Sequence, residues 1–160
     1  MTHSSAAFGT ASRKRKLFFL LLLLTALVLI LAWPTSTAEA PLWEVWVVNE
    51  AGQPLEGITV TLSYQNYSAE SEGHLERKLT DASGYVVFSQ RSLKASRLRR
   101  IVTTLESARA GVHASFGPHA GVWADGNGLR GYAVSNGYIT DWTGAPQRMS
   151  SKIVAKALRY

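Results

Sequence analysis

The 160-residue chain contains no cysteine, and this absence excludes several kinds of chemistry and stabilisation. Disulfide bonds, thiolate nucleophiles, cysteine-ligated metal sites and lipid attachment at cysteine are all ruled out. Acidic residues are missing from the first 38 positions, no Gly-x-Ser-x-Gly turn is present, and no internal repeat is visible. Any folded domain of this chain therefore has to be stable through its own hydrophobic core.

An apolar run near the N-terminus is the most informative feature that is present. Leu17–Trp33 contains Thr25 as its only polar residue and follows the basic tetrad Arg13-Lys14-Arg15-Lys16. As a helix, 17 residues would be about 25 Å long, at the short end of what crosses a bilayer. Because cationic residues resist translocation, the pattern predicts a cytoplasmic segment 1–16, a transmembrane or signal segment 17–33, and an exported remainder.

Two small-residue sites behind the run raise the question of cleavage. Ala38-Glu39-Ala40 is followed by Pro41, which hinders signal peptidase, whereas Ser36-Thr37-Ala38 lacks that defect. We expect residues 34–41 to be a linker and the run to be an uncleaved signal anchor. The protein is then a single-pass membrane protein with its C-terminal domain extracytoplasmic, in the periplasm of a bacterial envelope, and it is secreted if the segment is cleaved.

Most of the positive charge of the chain belongs to the basic tetrad in front of the apolar run, and so reflects the predicted membrane topology. The formal net charge is +6, but four cations belong to the tetrad, and the exported part is left at +2. Nucleic acid is therefore not expected as a partner. A local excess of cations in residues 91–100 predicts a solvated loop or strand edge, or else a patch for lipid head groups.

Residues 42–160 are enough for one domain, and their pattern predicts β-strands. Ile58, Val60, Leu62 and Tyr64 alternate with polar residues, which is the period-2 signal of a half-buried strand. Leu75–Thr80 alternates poorly and is expected at a sheet edge. The other predicted strands are Trp43–Asn49, Tyr85–Ser89, Arg100–Leu105 and Lys152–Leu158. Strands at this spacing, separated by turn signals, predict a sandwich or barrel.

Residues 111–146 contain eight glycines and form either an elaborate loop or the functional surface. Asp125-Gly126 and Asn136-Gly137 are candidate type I′ turns. Short strands are possible at Val122–Ala124, Tyr132–Val134 and Gly137–Trp142.

Two segments carry a resemblance to a known family. Residues 47–60 combine an apolar strand end, the turn Gly52-Gln53-Pro54-Leu55-Glu56-Gly57 and an alternating strand. Residues 80–88 add Thr80-Asp81-Ala82-Ser83-Gly84 before a strand that ends in Phe88. This pattern resembles the carboxypeptidase regulatory-like domain, a transthyretin-like group that includes adhesin repeat B modules.

The resemblance covers about residues 43–89, and it implies an all-β, seven-stranded Greek-key sandwich of the immunoglobulin-like kind. Members are usually non-catalytic spacers, stabilisers or binding modules. The first strand contains no lysine, so the isopeptide bond of some adhesin members is not carried over. The chain ends in Leu158-Arg159-Tyr160 rather than a Tyr-Arg-Gly-Ser-type tail, so hydroxyisourate hydrolase activity is not carried over either.

Several motifs suggest chemistry without completing it. Gly126–Gly131 matches the dinucleotide fingerprint, but strand and turn residues follow it where a helix is required. Asp125 begins like a calcium loop that Leu129 then interrupts. His113 and His119 could bind zinc together with His74 or Asp125. Ser115, a histidine and Asp125 supply the residue types of a catalytic triad without a positioning turn.

The candidate interaction surface combines aromatic and cationic side chains. It comprises Trp123, Tyr132, Tyr138, Trp142, Arg97, Arg99 and Arg100. The aromatic residues either fill the sandwich core or form a platform for sugars or peptides. We therefore expect a non-catalytic, membrane-tethered module that binds an envelope protein or a glycan without a cofactor. The alternative is a metal-binding or hydrolytic envelope protein that uses His113, His119 and Asp125.

Overall fold

The computed structural model describes residues 7–158, with side chains described from residue 13. Within this range the protein is mostly β, with an apolar helix α1 at Ala7–Ala32 and a shorter helix α2 at Arg97–Ala108. Twelve strands form four sheets, and the two larger sheets enclose the core. The expectation of a β-rich domain behind one apolar N-terminal helix is confirmed at this level.

Helix α1 is long and apolar enough to cross a membrane over Arg13–Ala32, and none of this segment is buried inside the protein. A signal sequence would show the same properties. The predicted linker at 34–41 is wrong, because strand β1 (Pro34–Ala40) begins two residues after the helix ends. The Pro-Thr-Ser-Thr composition is typical of an irregular segment. The backbone of these residues nevertheless pairs with residues 91–96, and this pairing makes them a strand.

The strands are short, as their turn signals indicate. After β1 they are β2 (Leu42–Val48), β3 (Thr59–Asn66), β4 (His74–Leu79), β5 (Tyr85–Phe88), β6 (Arg91–Ser96), β7 (Pro118–Gly126), β8 (Leu129–Tyr132), β9 (Val134–Ser135), β10 (Tyr138–Ile139), β11 (Arg148–Val154) and β12 (Lys156–Ala157). The predicted last strand is thus divided in two at Ala155. A 3₁₀ turn occupies Gly111–His113.

Two sheets face each other. One has the order β11-β2-β5, and the other has the order β12-β8-β7-β3-β4. Strand β11 runs parallel to β2, whereas the other pairings in these sheets are antiparallel. Two small sheets, β1-β6 and β10-β9, flank them. Strand β4 lies at an edge, as the weak alternation of its sequence predicted.

The core fills the space between the two larger sheets. Trp43, Val45 and Val47 of β2 are fully buried, and Phe88 of β5 is fully buried beside them. From the opposite sheet, β3 contributes the apolar face that its alternation predicted. Since successive strand residues point to opposite faces, this leaves the odd-numbered residues of β3 on the outer side of the sheet.

The turns within residues 47–60 and 80–88, the two segments that carry the family resemblance, have the contacts that their residue types favour. Asp81 accepts hydrogen bonds from the backbone N–H groups of Ser83 and Tyr85. Thr80 Oγ1 accepts from the Ile58 N–H and donates to the Leu55 carbonyl. Gly84 has a φ of 73°, and a Cβ there would lie 2.5 Å from the Val47 carbonyl oxygen, so both the turn and the close approach require glycine.

The predicted strand at Arg100–Leu105 is wrong, because these residues belong to helix α2. The Ser96 hydroxyl accepts a hydrogen bond from the Arg99 N–H and caps the helix. The apolar residues at positions 98, 101, 102 and 105 follow the helical spacing i, i+3, i+4, i+7. The β-branched residues favoured a strand locally, but the cap and this longer periodicity favour the helix.

The glycine-rich segment forms two hairpins. The turn between β7 and β8 is centred on Asn127 and Gly128, both with positive φ, two residues beyond the predicted Asp125-Gly126. The predicted Asn136-Gly137 turn is confirmed between β9 and β10. Because β8 follows where a nucleotide-binding helix would have to begin, residues 126–131 form a hairpin and not a dinucleotide loop.

Candidate functional site

An open groove of about 490 Å³ lies on the outer side of the five-stranded sheet. In the β3–β7 register, Ser63 pairs with Gly121 and Gln65 pairs with His119. These residues share the face opposite the core because side chains alternate along each strand. We call this site the aromatic groove. Its main lining residues are Gln65, Tyr67, His119, Trp123, Tyr132 and Asp141.

One side of the aromatic groove is formed by aromatic rings, and no side chain fills its floor at Gly121. Trp123 on β7 pairs with Tyr132 on β8, and the side chain of Tyr132 is 44% exposed. Gly121 lies between these aromatic residues and His119, and a Cβ there would meet only the Thr140 carbonyl oxygen, at 3.5 Å. The absence of a side chain at Gly121 therefore leaves open space along the sheet.

The polar side of the aromatic groove is built around His119. Its Nδ1 lies 2.8 Å from Asp141 Oδ2, its Nε2 lies 3.3 Å from the Phe116 carbonyl oxygen, and the Tyr67 ring approaches edge-on at 5.3 Å. Two backbone hydrogen bonds between Ala120 and Trp142 place Asp141 beside His119. The imidazole is thus held in one orientation, with a carboxylate beside it.

Of the four predicted aromatic residues, the structure brings two into the aromatic groove. Trp123 and Tyr132 line it, whereas Trp142 is 1% exposed in the core and donates its indole N–H to the Pro146 carbonyl. Tyr138 is 78% exposed on the β9–β10 hairpin and does not line the groove. Local sequence could not separate these environments, because the strand pairings decide which face each ring occupies.

The three predicted arginines do not act as one patch. Arg100 Nη2 donates to the Thr35 carbonyl at 2.9 Å and to Thr37 Oγ1 at 3.1 Å, so this side chain joins α2 to β1. Arg97 lies beside the end of α1, near Leu29. Arg99 is exposed. None of them lines the aromatic groove.

The predicted metal and catalytic sets are not assembled in the described part of the chain. Asp125 pairs with Arg130 at 2.9 Å and lies six residues along β7 from His119, about 20 Å away in an extended strand. His113 lies in the exposed 3₁₀ turn, and His74 contacts Glu70 instead. Ser115 lines the aromatic groove with His119, but no hydrogen bond joins the two side chains among the described residues. The alternative site of His113, His119 and Asp125 is therefore wrong as a single constellation.

Sequence reasoning missed a cluster in which the buried Glu39 and Glu70 meet the exposed His74. One donor atom from each residue lies within 4.8 Å of the others, and His74 Nε2 is 2.9 Å from Glu70 Oε2. Two carboxylates and an imidazole are ligands that a divalent metal accepts. The same arrangement also allows the carboxyl groups of Glu39 and Glu70 to share one proton.

The pKa values of the two carboxyl groups in this cluster shift in opposite directions. Burial, together with the hydrogen bond and the negative charge of Glu70, raises the pKa of Glu39 to about 7. Burial opposes ionisation of Glu70 as well, but hydrogen bonds from the Asn66 N–H and from His74 lower its pKa. Glu39 thus stays neutral to higher pH and donates to the Glu70 carboxylate. The Glu-x-x-x-His spacing at 70–74 was a usable signal, but Glu39 was hidden in the supposed linker.

Comparison with known proteins adds little to this geometry. No protein-family model matches the chain, and no curated protein matches it. Among solved structures, it is similar to 3-chlorocatechol 1,2-dioxygenase from Rhodococcus opacus 1CP, with 15% identity and a TM-score of 0.45 over 75% of this chain. The match covers 62% of the dioxygenase chain, which is less than two thirds of its length. A likeness this distant carries no argument about fold family or activity.

Proposed function

We propose that this protein is a non-catalytic, membrane-tethered β-sandwich module that binds a ligand of the cell envelope through the aromatic groove. The observation that carries the proposal is the groove itself, with exposed aromatic rings beside a row of hydrogen-bonding side chains. Glycans have both apolar C–H faces, which pack on aromatic rings, and hydroxyl groups, which need polar partners. A glycan therefore fits the groove better than an apolar peptide does, and an envelope protein segment is the second ligand to test.

The class of module is proposed from the two recognised segments. The Asp81 turn, the Thr80 hydrogen bonds and the restricted site at Gly84 support a carboxypeptidase regulatory-like domain with a Greek-key, immunoglobulin- or transthyretin-like sandwich. In such a module the scaffold supplies a rigid sheet and the surface supplies the ligand site.

The tether is proposed from α1 and its flanks. The basic tetrad places the N-terminus in the cytoplasm, so the β-domain is extracytoplasmic. Ala40 and Pro41 are fully buried, and β1 pairs with β6, which supports an uncleaved anchor because cleavage at either small-residue site would remove most of β1. Release would therefore disrupt the fold that the released domain needs.

Ligand binding is tested with the full chain on an oligosaccharide array and on a peptide array. The protein is held in a zwitterionic detergent, because detergents with sugar head groups would compete for the groove. We expect saturable glycan binding that Trp123→Ala weakens by about tenfold or more, equivalent to about 1.4 kcal/mol. Tyr138→Ala is the matched control, because it removes an exposed aromatic ring outside the groove and should leave binding unchanged.

A second variant narrows the site without removing an aromatic ring. Gly121→Ala adds one methyl group to the groove floor at ordinary contact distance, so the fold should be retained while a bound ligand is displaced. Binding that survives both Trp123→Ala and Gly121→Ala would contradict the proposal. Binding to peptides alone would replace the glycan with a protein ligand at the same site.

A further inference from the structure

Helix α2 exposes an apolar stripe to its surroundings. Leu98, Ile101, Val102 and Leu105 are between 46% and 62% exposed. At 3.6 residues per turn they lie within an arc of about 100° on one side of the helix. Since a 12-residue helix normally turns such a stripe toward the core, this stripe lacks the partner that the domain usually supplies.

The opposite side of α2 faces the domain and is polar. Arg100 hydrogen-bonds to β1, the Ser107 hydroxyl donates to the Tyr67 carbonyl at 2.8 Å, and Thr103 is the one buried residue of the helix. These three positions lie about 180° from the centre of the apolar stripe. The helix is thus inverted relative to a soluble surface helix, with polar contacts inward and apolar side chains outward.

The location of α2 identifies what covers the stripe. The helices α1 and α2 contact each other, and Leu29, Ile30, Trp33 and Arg97 line one groove between them. Leu29 and Ile30 belong to the last turn of the candidate membrane span Arg13–Ala32. The first turn of α2 is therefore level with the end of the span, where the hydrocarbon core meets the head groups. Trp33 is 68% exposed at the same level, a position that Trp favours in membrane proteins.

The charge around the stripe fits a lipid surface. Arg97 and Arg99 are exposed in the first turn of the helix, and Lys94 is exposed on β6 just before it. No acidic residue lies in the first turn of α2. Cations of this kind are attracted to anionic head groups, while apolar side chains of an interfacial helix insert at the acyl boundary.

We propose that α2 lies in the interface of the bilayer that α1 crosses, with its apolar stripe inserted among anionic lipids. The inference rests on the tether of the proposed function but not on the aromatic groove. The domain is then docked on the membrane through two elements, the spanning helix and the interfacial helix. This docking fixes the orientation of the sheets above the bilayer.

The test uses the full chain in vesicles of phosphatidylcholine and phosphatidylglycerol. Because the chain contains no cysteine, a single fluorophore can be attached at Leu105→Cys, at the neighbouring Glu106→Cys, or at Tyr138→Cys on the distant hairpin. All three native side chains are exposed in the structure, so their accessibility differs only if something covers α2. Emission is measured with nitroxide-labelled lipid, and with iodide present on both sides of the membrane.

We expect the Leu105 label to be quenched by nitroxide lipid and shielded from iodide, with blue-shifted emission. The Tyr138 label should show the reverse, and the Glu106 label should be intermediate. Arg97→Glu with Arg99→Glu should reduce the lipid quenching at position 105, and vesicles of phosphatidylcholine alone should reduce it as well.

Two outcomes would overturn the proposal. Equal iodide access at positions 105 and 138 would mean that the stripe stays in water. Shielding from iodide without quenching by nitroxide lipid would mean that a second copy of the chain covers it. Resistance of the protein to alkaline extraction from the vesicles is measured in parallel, so a failure of the tether is distinguished from a failure of α2 to insert.

Discussion

Glu39 shows how one buried side chain can make stability depend on pH. It is 6% exposed, and one of its oxygens, Oε1, is buried without a hydrogen-bond partner among the described residues. Burial and the neighbouring Glu70 carboxylate both oppose the ionisation of Glu39. Since its ordinary pKa is 4.5 and its pKa in the fold is about 7, the folded state holds a proton that the unfolded state has lost between these values.

The free energy of unfolding should therefore fall as pH rises from about 4.5 to about 7, and stay level above it, with a total change of about 1–3 kcal/mol. Glu39→Gln should abolish most of this slope, because glutamine cannot ionise. Urea unfolding of the full chain in detergent, followed by tryptophan fluorescence at several pH values, measures the effect. Glu56→Gln, at an exposed glutamate, is the control, and an unchanged slope in Glu39→Gln would refute the assignment.

At the scale of elements, β1 and α2 depend on each other. Strand β1 pairs with β6, and α2 begins at the residue after β6 ends. The position of α2 therefore depends on β1, the segment that the sequence predicted to be a linker. Arg100 closes this arrangement with its two hydrogen bonds to β1. A charged donor that bridges two elements contributes more to stability than an exposed charge does.

Arg100→Ala should lower the free energy of unfolding by about 1–3 kcal/mol, because the Thr35 and Thr37 oxygens lose their donor. Arg99→Ala is the matched control, because it removes an arginine side chain from the preceding position, which is exposed. It should change the free energy of unfolding by less than about 0.5 kcal/mol. Urea unfolding midpoints of the two variants make the comparison. Equal effects would show that Arg100 acts as a surface charge only.

At the scale of the whole molecule, the apolar helix α1 and the β-domain are joined without a spacer. Only Trp33 separates the end of α1 from the start of β1. The domain is consequently held close to the end of α1, α2 contacts this helix, and the aromatic groove lies on the outer sheet face.

If the anchor is retained, protein recovered from washed membranes should have the mass of the full-length chain. A soluble product beginning near Glu39 or Pro41 should be absent or rapidly degraded, since it lacks most of β1. Intact mass measurement of the membrane and soluble fractions decides between the two. A stable soluble form of that mass would show that the domain folds without β1 and works as a secreted protein.

The properties that the sequence by itself determined are those that depend on near neighbours. The apolar run behind a basic tetrad, the alternation of Ile58–Tyr64 and the edge character of Leu75–Thr80 all follow from composition and period. The Asn136-Gly137 turn also follows from a local pattern. Each of these properties is set by residues that lie within one continuous stretch of the sequence.

What only the tertiary structure decided are the relations between distant segments. Residues 34–40 became a strand because β6 pairs with them, and Arg100–Leu105 became part of a helix that contacts α1. Asp141 reached His119, and Glu39 reached Glu70, through strand pairings that no local pattern encodes. Backbone pairing acts between residues far apart in sequence, so it decided which of the predicted side chains meet.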